Sequence, residues 1–167
     1  SETLGVSRTP IREALRKLEH EHLIEETSKG ALVLGITEQD IEDIYEIRLN
    51  LEGVAAHRAA ERITDDELAK MREILDLQKF YVSRQENSAD KIKDLDSSFH
   101  EMLYMFSGSK ILAEVLLPLH KKLIKYRKAS VTSHNRAQRS EDEHEKIYEA
   151  LAKRDAKAAR ELTIAHV

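Results

Sequence analysis

The sequence predicts a mostly α protein, in which a short helix-and-hairpin segment precedes an all-α antiparallel helical bundle. Glycine (5) and proline (2) are scarce in the 167 residues, so few positions end a helix or form a turn. Charged residues make up 35% and hydrophobic residues 41% of the chain, a balance typical of globular proteins built from amphipathic helices. Aromatic residues amount to only 5%, so the core must consist mainly of aliphatic side chains, which favours packed helices over a β-sandwich.

The first predicted element is a helix over residues 9–22. Pro10 lies in its first turn, where the missing N–H has no helical partner to lose. Four apolar residues recur at helical spacing and predict a face that packs inward: Ile11, Ala14, Leu15 and Leu18. Two β-like runs follow at residues 23–26 and 31–34, and the polar stretch between them suits a hairpin turn. A helix followed by a hairpin predicts a recognition helix and its wing, that is, a partial winged helix-turn-helix over residues 1–35.

The helical bundle is predicted to begin after Gly35. Thr37 followed by Asp40 is a variant of the capping box that starts a helix. Further start and stop signals, clearest at residues 64–66 and 107–109, divide the remainder into separate helices. The predicted helices span residues 37–61, 64–84, 88–106, 109–132, 137–153 and 155–167. Residues 37–167 are therefore predicted to form a second, all-helical domain.

The composition limits the classes of partner and compartment. The net charge of −4 argues against a nucleic-acid partner, because contacts with phosphates require a basic surface. Residues 1–35 contain five lysines and arginines against six glutamates, so this segment is not basic overall. The absence of cysteine excludes disulfides and thiolate metal sites, and it is compatible with the cytoplasm, where we expect the protein. No apolar run approaches the roughly 20 residues of a membrane span, so we expect no membrane partner.

The positions of the charges nevertheless permit DNA recognition by the first helix. Ser7, Arg8 and Thr9 lie at its N-terminus, where hydroxyl and free N–H groups can bind phosphates or base edges. Arg8 and Arg12 are four residues apart on one face, and arginine has the geometry to bind guanine or phosphate. We expect Arg8, Arg12 and Lys29 to face DNA. An ordinary surface helix with a charged outer face explains the same spacing about equally well.

A longer motif favours the DNA-binding interpretation. Residues 5–15 read Gly-Val-Ser-Arg-Thr-Pro-Ile-Arg-Glu-Ala-Leu. Together with residues 23–24 and 30–31, this run resembles the second half of the winged helix-turn-helix of the GntR family. Only Ile11 departs from the family signature, which has valine at that place. The resemblance implies a bacterial transcription regulator, most simply a repressor.

The resemblance also implies roles for individual residues. In the GntR family the arginines that match Arg8 and Arg12 contact the operator, and the residue that matches Thr9 assists them. The tip of the wing, near Gly30, reaches the minor groove. The first helix and the start of the second are absent from the residues given, so we expect the chain as it stands to bind DNA weakly.

Four residues of the bundle suggest a metal site. Asp96 and His100 are four residues apart on a helix, so a carboxylate and an imidazole share one face, although such a pair is more often a plain hydrogen bond. His144 precedes the helix break near residues 154–155 by about ten residues and His166 follows it by about eleven. Both therefore lie about 15 Å from the turn of an antiparallel hairpin, where their imidazoles can meet. One Asp and three His make a plausible site for a divalent ion such as Zn, Ni or Mn.

Two arginines are candidates for binding an acidic small molecule. Arg48 lies among apolar residues of the first bundle helix, four residues before Glu52. It is either half of a surface ion pair with Glu52 or a bidentate clamp for an effector carboxylate. Arg127 is a weaker candidate of the same kind. The remaining histidines are interpreted as surface or hydrogen-bonded core residues: His20, His22, His57, His120 and His134.

From about residue 37 to its end, the chain resembles the FCD ligand-binding domain of the FadR-type GntR regulators. The matching segments are residues 45–52, 96–100, 143–151, 154–156 and 166–167. In metal-binding members one Asp and three His hold the ion, and these fall on Asp96, His100, His144 and His166. Six helices rather than seven resemble the VanR-type subgroup. The resemblance also favours the carboxylate clamp for Arg48.

Taken together, these resemblances imply a homodimer that binds a palindromic DNA operator. A small organic acid that bridges the metal and Arg48 would then change the affinity for DNA. Two alternatives remain open. The same Asp/His₃ site suits a metal-dependent hydrolase, which would leave the helix-and-hairpin segment unexplained, and the metal site could also be purely structural.

Overall fold

The computed structural model describes residues 5, 7–20, 24–84, 88–124 and 134–167, and for Arg8 and His134 only the backbone. The chain divides into two compact units, residues 1–40 and 41–167. The elements in chain order are α1 (Arg8–His20), β1 (Ile24–Thr27), β2 (Gly30–Val33), α2 (Glu38–Arg62), α3 (Asp65–Ser83), α4 (Ala89–Phe106), α5 (Lys110–Ile124), α6 (His134–Ala152) and α7 (Ala156–His166). The described part is therefore mostly helical, as predicted.

The smaller unit contains α1 and an antiparallel hairpin. In the hairpin Ile24 pairs with Val33 and Thr27 pairs with Gly30, so the turn lies one residue inside the predicted polar stretch at each end. Gly30 has a φ of +128°, a conformation that residues with a side chain rarely adopt. The hydroxyl of Thr27 donates to the Gly30 carbonyl at 2.7 Å, which closes the turn.

The prediction that the apolar face of α1 packs inward is wrong for the described residues. Leu15 is 39% exposed and Leu18 is 37% exposed, while Ala14 is also exposed and Ile11 is only partly covered. One 13-residue helix and a two-stranded hairpin offer too little apolar surface to bury such a face.

The starts of the bundle helices follow their capping residues. At the start of α2 the Thr37 N–H donates to the Asp40 carboxylate at 2.8 Å, and the Asp40 N–H donates back to the Thr37 hydroxyl at 3.1 Å. The predicted capping box is therefore confirmed. Thr64 and Glu67 form a second capping box at the start of α3. These reciprocal bonds satisfy N–H groups that the first helical turn leaves without partners.

The larger unit contains six described helices around one core. Helix α3 packs against α4 and α6, α4 packs against α5, and α6 packs against α7. The core consists mainly of alanine, leucine and isoleucine with Phe99 and Tyr104 from α4. The predicted helix 109–132 is α5 as far as Ile124, and the rest of that prediction lies outside the described residues. None of the helices in the described ranges has the length and hydropathy of a membrane span.

A bidentate ion pair joins α3 to α6. The guanidinium of Arg72 donates to both carboxylate oxygens of Glu145, at 2.6 and 2.8 Å, and its carbon lies 4.9 Å from the centre of the Tyr148 ring. The hydrogen bonds from Arg72 hold the pKa of Glu145 below its usual value. Both side chains are about two-thirds covered, so the pair is screened less than a fully exposed one.

We expect Glu145→Gln to lower the free energy of unfolding by about 1 kcal/mol at pH 7. Because the pKa of Glu145 is lower in the folded state, its contribution is complete above the ordinary glutamate value and is lost as the pH falls through the folded value. Urea unfolding at pH 7 and pH 3 measures both effects. Glu149→Gln is the control, since in the described part of the chain the exposed Glu149 pairs with Lys153, directly after α6, and not with another helix. An equal loss for Glu145→Gln at both pH values would contradict the assignment.

Candidate metal centre

Four side chains from three helices meet inside the larger unit. Asp96 and His100 come from α4, His144 from α6 and His166 from α7, and one ligand atom of each lies within 4.8 Å of the others. The Nε2 atom of His166 is 3.1 Å from that of His144 and 3.2 Å from that of His100. The Asp96 carboxylate lies 3.8 Å from the Nε2 atom of His144. The structure thus brings together the four residues that the sequence singled out.

The turn between α6 and α7 brings His144 and His166 to one level. Asp155 caps α7 by accepting from the Ala158 N–H at 3.0 Å, and Arg154 adopts a left-handed φ of 57° in the turn. The Arg154 guanidinium also donates to the carbonyl of Ile63, at the end of α2. The turn is therefore held both by its own cap and by the segment between α2 and α3.

A second layer of acceptors fixes the three imidazoles. Each Nδ1 faces a side-chain oxygen from a carboxylate or amide, which can only accept, so Nδ1 carries the proton and Nε2 keeps a free lone pair. The bonds join His100 to Glu52 at 3.1 Å, His144 to Gln78 at 3.0 Å and His166 to Glu143 at 2.8 Å. Sequence reasoning missed all three acceptors as parts of the site. Glu52 was named from the sequence, but only as the partner of Arg48.

The donor set fits a divalent metal ion. Three Nε2 lone pairs point at one another across 3.1 and 3.2 Å, an arrangement that repels unless a cation lies between them. Three imidazole nitrogens and one carboxylate oxygen suit Zn, Ni or Mn. Burial keeps the pKa of His100 well below its usual value and also lowers the pKa of His166. These two imidazoles are therefore neutral near pH 7, which is the form that binds metal.

An aromatic ring supports one of these ligands. The Phe99 ring stacks on the His144 imidazole with centroids 4.1 Å apart and planes inclined by 18°. Phe99 is completely buried in the core. It therefore restricts rotation of His144 and shields the site from water on that side.

Arg48 lies completely buried beside this site. Its Nε donates to Glu52 Oε1 at 2.5 Å, and the Tyr104 hydroxyl donates to the same oxygen at 2.7 Å. The interpretation of Arg48 and Glu52 as a surface pair is therefore wrong, because both side chains are fully covered by the packed helices. Within the described residues the two terminal nitrogens of Arg48 have no hydrogen-bond partner. Burial lowers the pKa of Arg48, but its interactions with Glu52 and the neighbouring Tyr104 raise that pKa by more, so Arg48 stays charged.

The other predicted site residues lie elsewhere or outside the described part. Ser7, Thr9, Arg12 and Lys29 are exposed in the smaller unit, as is Gly30 at the hairpin turn. Arg8 is the first residue of α1, and Arg127 lies outside the described residues.

Of the remaining histidines, His20 and His57 are exposed or partly exposed, and His22 lies outside the described part. His120 is buried, with its ring centroid 5.0 Å from that of His100. It is therefore a core residue, one of the two outcomes that the sequence allowed, but its sequence context did not indicate that it lies next to the site.

Comparison with known proteins defines the class of the helical unit. The family model of the FCD domain matches residues 43–167, which include the four converging side chains and Arg48. The Nta operon transcriptional regulator of Aminobacter aminovorans is 31% identical over 165 residues, which cover 98% of this chain and 76% of that protein. The chain belongs to the GntR family of transcription regulators, among the members that carry an FCD domain.

Solved structures agree with this assignment. Streptococcus agalactiae GntR superimposes with a TM-score of 0.66 at 25% identity, over 99% of this chain and 81% of that one. Escherichia coli McbR/YncC superimposes with a TM-score of 0.79 at 22% identity, over 96% and 81% of the two chains, and so supports the fold.

Proposed function

We propose that this protein is a DNA-binding transcription regulator whose affinity for its operator is set by a small carboxylate bound at a divalent metal ion in the helical domain. The observation that carries the proposal is the convergence of Asp96, His100, His144 and His166 next to the buried Arg48. Membership of a family of transcription regulators supports the regulatory role and argues against a catalytic one.

The charges in and around the site favour an anionic effector. Arg48 and Glu52 carry opposite charges that cancel, and Arg139 balances Glu143 at 2.8 Å. Asp96 adds one negative charge, so a divalent ion held there would leave one positive charge in excess. Since an uncompensated buried charge is costly, a carboxylate that enters beside the metal is favoured.

Arg48 is proposed to hold this carboxylate. The Nε of Arg48 donates to Glu52, while the two terminal nitrogens of Arg48 are buried without partners in the described part of the chain. Two parallel N–H groups of this kind match the two oxygens of a carboxylate. Arg127 is a second candidate for the same role, on the family resemblance alone.

DNA binding is proposed to reside in residues 1–35 as part of a winged helix-turn-helix, with residues 37–167 as the sensor. Thr9 and Arg12 on α1 and Lys29 in the hairpin turn are exposed, which supports a role in contacting DNA. Ser7, Arg8 and Gly30 are proposed to join them. A homodimer would present two such helices to a palindromic site, and repression is the simplest outcome.

The test uses the full-length product of the gene and a DNA duplex selected from a random pool. We expect a carboxylic acid to change the affinity for that duplex only in protein loaded with Zn²⁺, as measured by fluorescence anisotropy. Arg12→Ala should weaken binding to the duplex by roughly 5- to 150-fold, equivalent to 1–3 kcal/mol. Lys110→Ala is the control, because Lys110 is exposed on α5 and its ion pair in the described residues is with Glu114.

Two results would reject the proposal. One is the failure of the protein to retain any duplex from the pool. The other is metal-dependent turnover of ester or phosphoester substrates that His100→Ala abolishes, which would support the hydrolase instead. If metal stabilises the protein but no carboxylic acid adds to the effect, the site is structural.

A further inference from the structure

Two pairs of side chains face each other between α2 and α4, and the two members of each pair are one helical turn apart. Arg48 and Glu52 form the pair on α2, and His100 and Tyr104 form the pair on α4. All four side chains are completely buried. Glu52 is the centre of the group, because it accepts from the other three: Oε1 from Arg48 and Tyr104, and Oε2 from His100.

We infer that Glu52 couples carboxylate binding at Arg48 to metal binding at His100, so that each ligand raises the affinity for the other. The inference rests on the proposed function and adds the residue that transmits the effect. Glu52 is a positioning residue, since it contacts neither ligand itself.

The coupling follows from how one carboxylate divides its negative charge. Without an effector, Oε1 of Glu52 is engaged by the Arg48 guanidinium at 2.5 Å. An effector carboxylate on the terminal nitrogens of Arg48 takes a share of that positive charge. Glu52 then bonds more strongly to Nδ1 of His100, which makes Nε2 a better metal ligand. By thermodynamic linkage, the metal raises the affinity of Arg48 for the carboxylate by the same factor.

His166 provides a matched control within the same site. Its Nδ1 also bonds to a glutamate, Glu143, at 2.8 Å. Glu143, however, is paired with Arg139 and lies 4.0 Å from Arg136, both on α6. Loss of the Glu143 charge should therefore weaken metal binding without affecting the link to Arg48.

The experiment measures the affinity of the full chain for Zn²⁺ by competition with a chromophoric chelator. The measurement is made twice at equal ionic strength, once in sodium acetate and once in sodium chloride. The ratio of the two dissociation constants is the coupling factor. We expect acetate to tighten Zn²⁺ binding in the wild type and in Glu143→Gln by the same factor. In Glu52→Gln we expect that factor to be at least threefold smaller. Both variants should bind Zn²⁺ about 10- to 100-fold more weakly than the wild type does.

Glu52→Asp tests whether coupling requires contact with both Arg48 and His100 or only the negative charge. It keeps the buried negative charge that balances Arg48, so the fold is protected, but the shorter side chain cannot reach both Arg48 and His100. We expect its coupling factor to fall as in Glu52→Gln. Circular dichroism checks that each variant is folded.

The outcomes separate the inference from the proposed function. If acetate changes Zn²⁺ affinity in the wild type, and equally in Glu52→Gln or Glu52→Asp, the coupling role of Glu52 is wrong and the proposed function stands. If acetate has no effect on the wild type and does not bind the Zn²⁺-loaded protein, the carboxylate site itself is wrong, and the inference fails with it.

Discussion

Replacement of His144 by alanine is expected to weaken Zn²⁺ binding by about 100- to 1000-fold. Structural zinc sites bind with roughly 10–16 kcal/mol shared among four ligands, or about 3 kcal/mol for each, and 1.4 kcal/mol corresponds to a factor of ten. His144 is completely buried, with Nδ1 bonded to Gln78 and its ring stacked on Phe99. It is therefore held in the orientation that binds metal.

The matched control is His57→Ala. His57 lies on α2 with its side chain 42% exposed, and within the described residues it contacts Glu61 near the end of its own helix and the carbonyl of Ala156. Titration with a chromophoric chelator gives the affinity, and thermal unfolding with and without Zn²⁺ gives an independent measure. At one fixed concentration, Zn²⁺ should raise the melting temperature of the wild type and of His57→Ala more than that of His144→Ala. Equal Zn²⁺ affinities for the two variants would exclude His144 as a ligand.

Helix geometry, together with the resemblance to the FCD domain, was sufficient to identify the four converging residues from the sequence. Asp96 and His100 share a helix face at a spacing of four, and His144 and His166 lie at equal distances from one turn. An antiparallel hairpin therefore brings the last two together, as the 3.1 Å separation of their Nε2 atoms confirms. Helix starts were equally predictable where a side chain caps the first turn, as Thr37 does.

The supporting residues could not be predicted in the same way. Gln78 and His144 are 66 positions apart, and Glu52 and His100 are 48 apart, so no local spacing relates them. Their contacts depend on how α2, α3, α4 and α6 pack, which the periodicity of each helix does not specify. The burial of Arg48 was missed for a related reason: an arginine four residues before a glutamate looks the same in sequence whether the helix is exposed or covered.

The apolar face of α1 shows that a helix can be predicted correctly while its packing is not. Its helical spacing was read correctly, but spacing shows only which residues share a face and not what covers them. Leu15 and Leu18 remain more than one-third exposed because the described part of the smaller unit provides little apolar surface against them. Periodicity therefore identified the elements of this unit better than it identified their packing.

The burial of Arg48 has a large expected effect on stability. We expect Arg48→Met to lower the free energy of unfolding of the metal-free protein by roughly 3–5 kcal/mol, because it leaves the buried carboxylate of Glu52 without its cation. The neighbouring hydroxyl of Tyr104 and imidazole of His100 still donate to Glu52, but neither brings a full positive charge. The same substitution should abolish the effect of acetate on Zn²⁺ affinity, since the proposed carboxylate clamp is gone.

The double variant Arg48→Met/Glu52→Gln tests the reason for this loss. With both charges removed, no buried ion is left unpaired, so we expect most of the stability to return although the ion pair is absent. Arg139→Met is the matched control: Arg139 also pairs with a glutamate four residues along its helix, but its side chain is 71% exposed, and the cost should stay below about 1 kcal/mol. Urea unfolding in the presence of a chelator measures all four proteins. A double variant no more stable than Arg48→Met would show that lost packing, and not an unpaired carboxylate, is what destabilises the single variant.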